Sequence, residues 1–79
     1  MGWKKLPSGG HVIESGNRRA TLHQRQSGTY PWVVQRLTRL AGERKWTPVK
    51  ILMTFKDQSR AREFSENFVM SWRERHGAD

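Results

Sequence analysis

Arg19, Thr21, His23 and Arg25 recur at a spacing of two within the stretch RRATLHQRQ, Arg18 to Gln26. In extended backbone, successive side chains point to opposite faces, so these residues would form one row. Guanidiniums, an imidazole and a hydroxyl side by side can donate hydrogen bonds to phosphate oxygens or to the edge of guanine. The interleaved Ala20 and Leu22 have the opposite character and suit a core. A row of cations on a strand can equally be a wetted surface, and the charge of the whole chain bears on which it is.

Fifteen Lys and Arg face seven Asp and Glu in 79 residues, a formal net charge of +8 with a pI near 11.2. The excess is uneven. Residues 1–45 hold nine cations against Glu14 and Glu43, whereas residues 46–79 hold six against five acids. Like charge concentrated in one region of a small chain costs self-repulsion, which a polyanion relieves. The candidate nucleic-acid-binding residues are therefore Lys4, Lys5, Arg18, Arg19, Thr21, His23, Arg25, Arg36, Arg39, Arg44, Lys45, Trp46 and Lys50. Gln24, Gln26 and Gln35 add amides suited to phosphates. Tyr30, Trp32 and Trp46 interleave with the cations, as stacking platforms for RNA or single strands require. Tryptophans are also what a scarce core recruits, and for Phe68 and Trp72 the core is the expected place.

Other chemistries find little support. His11, His23 and His76 lack metal-ligand spacing, and Glu63 and Glu66 fall on the polar side of a helix pattern. There is no nucleophile elbow and no glycine-rich phosphate loop before a helix, so neither catalysis nor a cofactor or metal is expected. The absence of cysteine excludes disulfides and thiolate metal sites and is compatible with a reducing, cytoplasmic setting. No apolar run approaches the length of a membrane span.

The elements that must position the row can be read from period and punctuation. Residues 1–10 read as a flexible basic arm: Pro7, Ser8, Gly9 and Gly10 break regular structure, and Lys4 and Lys5 sit beside Trp3. HVIES is a strand candidate, Ser15 to Asn17 a hairpin turn, and RRATLHQRQ the returning strand. The next segment is ambiguous. As a helix it has Thr29 as cap, Pro31 in the first turn, Val33, Leu37 and Leu40 on one side and Gly42 as a stop. The hairpin spacing and the adjacent valines favour a strand over roughly Tyr30 to Arg39. TPVKILMTFK alternates throughout, predicting one half-buried strand with Val49, Ile51, Met53 and Phe55 on one face. Beyond Asp57 or Ser59 as cap, Ala61, Phe64, Phe68 and Trp72, flanked by Val69, form the stripe of an amphipathic helix.

Together these predict an α+β domain over residues 11–77, with a three- to four-stranded antiparallel sheet and one C-terminal helix packed on one face. The opposite face would carry the row, together with Lys50, Thr54 and Lys56, and with Arg36 or Arg39 depending on register. In architecture and charge this resembles the arm-type DNA-binding domains of phage integrases and the plant AP2 domains, and no functional position carries over. The expected function is nucleic-acid binding, DNA before RNA, by an accessory or regulatory protein of the kind phages and plasmids carry, alone or as a homodimer. The alternative is a protein-interaction module, an inhibitor or adaptor offering the basic face or an edge strand. A membrane-surface role would need a basic helix, and this one is close to neutral.

Overall fold

The computed structural model describes the backbone of residues 2–26 and 28–77 and side chains as far as Met70. The core position expected for Trp72 lies outside the described side chains. Among the described residues, six strands form a single antiparallel sheet: β1 (Lys4–Lys5), β2 (His11–Ser15), β3 (Arg18–Gln24), β4 (Trp32–Thr38), β5 (Thr47–Pro48) and β6 (Met53–Phe55). They run in the order β1-β2-β3-β4-β5, with β6 also paired to β4, and α1 (Gln58–Gly77) follows β6. The α+β architecture is as predicted, but the sheet has more strands than the three or four expected. Among the described residues no helix is long and apolar enough to cross a membrane.

The extra strands have two sources. Lys4 and Lys5, placed by the sequence reading in a flexible arm, pair with Val12 and His11. A turn joins the two strands, with Gly9 donating to Leu6 O at 3.0 Å and Leu6 to Gly10 O at 2.7 Å. Trp3 then lies on the helix side of the sheet, where its Nε1 donates to Glu66 Oε2 at 2.9 Å. The second source is TPVKILMTFK, which is two short strands rather than one. Thr47 and Pro48 pair with Thr38 and Leu37, and Val49 N–H still reaches Arg36 O at 2.8 Å. Pairing resumes at Met53 opposite Val34, two residues out of step, so Lys50 to Leu52 bulge away. An even insertion preserves the alternation of faces. Met53 and Phe55 therefore stay on the helix side as predicted, while Ile51 is expelled to 67% exposure. Exchange of Ile51 for serine is expected to change stability by no more than about 0.5 kcal/mol. The same exchange at Met53 should cost about 1 kcal/mol or more. Urea denaturation of both variants checks this; equal losses would contradict the bulge.

Elsewhere the local signals operate as read. Gly16, at a φ of 60°, takes the first position of the two-residue loop joining β2 and β3. The ambiguous third segment is a strand, in register with β3 from Arg18 opposite Thr38 to Gln24 opposite Trp32. Ile13, Ala20, Leu22 and Val34 project from one face and are buried with Ala61 and Val69 of α1. The helix face is rotated from the predicted stripe. Ala61, Ser65 and Val69, at steps of four, are fully buried, while Phe64 and Phe68 pack from the flank. Serine is tolerated at the centre because its hydroxyl donates to Ala61 O one turn back, at 2.8 Å. Asp57 O accepts from Ala61 N–H, placing Asp57 at the start of the helix as one of the two expected caps. Phe55 meets Phe64 with ring centroids 5.3 Å apart. Ile51, expected on the same strand face as Phe55, is displaced by the bulge.

Candidate functional site

The helix covers one face of the sheet and leaves the other open. Cross-strand pairing fixes what lies on that open face. Lys4, Val12, Thr21 and Gln35 form one row, and Glu14, Arg19, Leu37 and Pro48 the next. His23 lies beside Val33 and Thr54. Its ring rests over Gly10, where an added Cβ would meet His23 Nδ1 at 2.5 Å and Leu22 O at 2.9 Å, so only glycine leaves the imidazole its place. Arg19, Thr21 and His23 thus share a face, as their spacing requires. Arg25 lies just past the end of β3 and is exposed, its N–H donating to Pro31 O at 2.7 Å. The Thr21 hydroxyl oxygen is buried without a hydrogen-bond partner, so it is not presented at the surface.

Around Arg19 the face becomes a connected cluster. Its Nε and Nη2 donate to Glu14 Oε2 at 3.0 and 2.8 Å. Its guanidinium also stacks over Trp46, 4.4 Å from the ring centroid, and Arg39 stacks over the same ring at 4.5 Å. Each such stack contributes about 0.5–1 kcal/mol at an exposed site. More important here, the ring holds both guanidiniums in place side by side on the open face. Arg39 further donates to Asn17 Oδ1 at 3.3 Å and to Gly16 O at 3.4 Å, tying the end of β4 to the β2–β3 hairpin loop. Beside the cluster lies a cleft of about 290 Å³ lined by Gly2, Lys4, Val12, Glu14 and Arg19.

The remaining candidates separate. Arg18 and Arg36 occur in register with Ala20 and Leu22 and face the helix. Arg18 Nη1 donates to Phe68 O at 3.0 Å with its guanidinium 4.8 Å from the Phe68 centroid. Arg36 lies 5.5 Å from Phe64 and 5.9 Å from Phe68 and reaches Ile51 O at 3.4 Å. Both cover the flank of the core with their stems. Arg18 thus stays on the face it shares with Ala20 and Leu22, and of the two alternatives, Arg36 and Arg39, it is Arg39 that joins the open face. Lys5 pairs with His11 on the helix side of the edge strand and is exposed. Arg44, Lys45 and Lys50 are exposed in the connections around β5. Trp32 packs against the core rather than facing outward, and Tyr30, 51% exposed, lies 5.7 Å from Lys56 Nζ.

Sequence reasoning missed the Glu14–Arg19 pair and the stacking role of Trp46. The first was accessible. A two-residue loop at Gly16 and Asn17 puts Glu14 directly opposite Arg19, and opposite charges across strands attract. The second needed the register of β5, which the bulge conceals. Comparison with known proteins gives no match of this chain to a family model, to a curated protein or to a solved structure.

Proposed function

We propose that this protein binds nucleic acid, duplex DNA before RNA, through the open face of its sheet, as a binding protein and not a catalyst. The observation that carries this reading is the pair of arginines, Arg19 and Arg39, held on Trp46 on the uncovered face. Planar guanidiniums fixed in this way suit phosphate oxygens and the guanine edge, and their ordering is completed before the ligand arrives. Single strands are the weaker substrate, because the aromatics they would stack on are already engaged: Trp46 by two arginines, and Trp32 by the core.

Width constrains the docking. Strands lie about 4.8 Å apart, and the major groove is about 12 Å wide. Three strands fit within it, whereas the whole sheet does not. The β2–β3–β4 end is then the part that enters the groove, with Arg39 toward the base edges and Arg19 toward a backbone phosphate. Lys4 on one flank and Arg44, Lys45 and Lys50 on the other meet phosphates of the groove walls. A footprint this small supplies limited sequence discrimination, which a second copy or a neighbouring protein would extend.

Fluorescence anisotropy with labelled duplex DNA, single-stranded DNA and RNA, each at two salt concentrations, tests the proposal. The duplex is expected to bind tightest, with log K falling steeply as log salt rises. Absence of binding, or affinity insensitive to salt, would contradict it. The alternative of a protein partner draws on Leu40, Ile51 and Leu52, apolar side chains exposed at 70%, 67% and 48% around β5 and β6. A partner retained after nuclease treatment would favour that alternative.

A further inference from the structure

We infer that the cleft beside Glu14 is a phosphate-binding site and that the Glu14 carboxylate occupies the site's anion position until a phosphodiester replaces it. The inference rests on the nucleic-acid reading of this face and identifies how its affinity is set. Glu14 is the single acidic residue in any of the strands. One of its oxygens takes two side-on donors of Arg19, at 3.0 and 2.8 Å. Carboxylate and phosphate make the same demand on a guanidinium fork, so a group that satisfies one geometry satisfies the other.

Other features of the cleft point the same way. Lys4 lines it from the edge strand, adding a second cation to a space where Glu14 is the sole anion among the described residues. The Glu14 and Arg19 side chains are 45% and 33% exposed, so the pair is open to exchange with a ligand from solution. Arg19 is held independently by its stack on Trp46, so the guanidinium keeps its place when the carboxylate leaves. A docking phosphate therefore meets a preformed site, but must displace Glu14 or bear its repulsion. Glu14 thereby weakens binding to any phosphate backbone and removes one cation from the count that releases counterions.

Glu14→Gln keeps a carbonyl acceptor for Arg19 and removes only the charge. With a short labelled duplex at ~0.1 M salt, this variant is expected to bind about tenfold tighter than the parent, with a salt slope steeper by about one unit. Lys4→Gln is expected to bind several-fold more weakly, with a slope flatter by about one unit. Parental binding with Glu14→Gln equal or weaker overturns this inference and leaves the reading of the face intact. An unaltered Lys4→Gln removes the cleft as a phosphate site. No binding by the parent or by either variant overturns both.

Discussion

Leu22→Ala is expected to destabilise the protein by ~3 kcal/mol. Leu22 is 1% exposed in the middle strand, flanked in register by His11 and Val34, and lies within the cluster that joins the sheet to Ala61 and Val69. That cluster contains few large side chains, since Ala20, Ala61 and Ser65 occupy much of the contact between the helix and the sheet. Deletion of the isobutyl group leaves a void that such small neighbours cannot close, so the cavity cost adds to the lost transfer energy. Folded chains of this size have only a few kcal/mol in reserve. A loss of this size lowers the folded-to-unfolded ratio on the order of a hundredfold. Urea denaturation followed by circular dichroism measures it. A loss under about 1 kcal/mol would mean that the helix is not seated on β3 as described.

The double variant Arg19→Ala/Arg25→Ala is expected to lose about a hundredfold in duplex affinity at ~0.1 M salt, with the salt slope flatter by about two units. Each arginine removed deletes one cation from those that release counterions, and the effects multiply because the sites are separate. The melting temperature should fall by only a few degrees, since Arg25 is exposed and Arg19 gives up a surface ion pair and a stack on Trp46, each worth about 0.5–1 kcal/mol. Arg18→Ala supplies the contrast. It removes a donor to Phe68 O and a cover for the Phe68 ring, so it is expected to lower the melting temperature while leaving the salt slope unchanged. Titration with duplex, alongside a thermal melt of each variant, separates the two outcomes. Equal loss of slope in Arg18→Ala would place the binding surface on the helix side instead.

The difference between Arg18 and Arg19 also marks how far the sequence could be read. The alternation of RRATLHQ assigned both faces of β3 correctly, with Ala20 and Leu22 buried and Arg19, Thr21 and His23 on the other side. Charge alone kept Arg18 among the candidate binding residues despite its parity with Ala20, and the choice between Arg36 and Arg39 waited on register, which puts Arg36 beneath the helix and Arg39 outside. What the alternation lacks is the position of the helix along the strands. Phe64 and Phe68 reach Arg18 and Arg36 and give long cationic side chains an apolar surface to lie on. In TPVKILMTFK the alternation survived a two-residue bulge, so period could not reveal the break, and only burial distinguishes Ile51 from Met53. Ser65 was invisible for a different reason. Its polarity argues for the surface, while the hydrogen bond that permits burial is made within its own helix. The edge strand had a legible signal in the turn-forming LPSGG between Lys5 and His11, but two residues of pairing are too short to stand out by pattern.

Amide chemical-shift mapping by NMR during titration with a short duplex tests the docking surface most directly. The largest changes are expected at Arg19, Gln35, Leu37, Arg39 and Trp46, with Ala61, Ser65 and Val69 beneath the sheet nearly still. Changes confined to the exposed flank of α1, or none as duplex is added, would contradict the account.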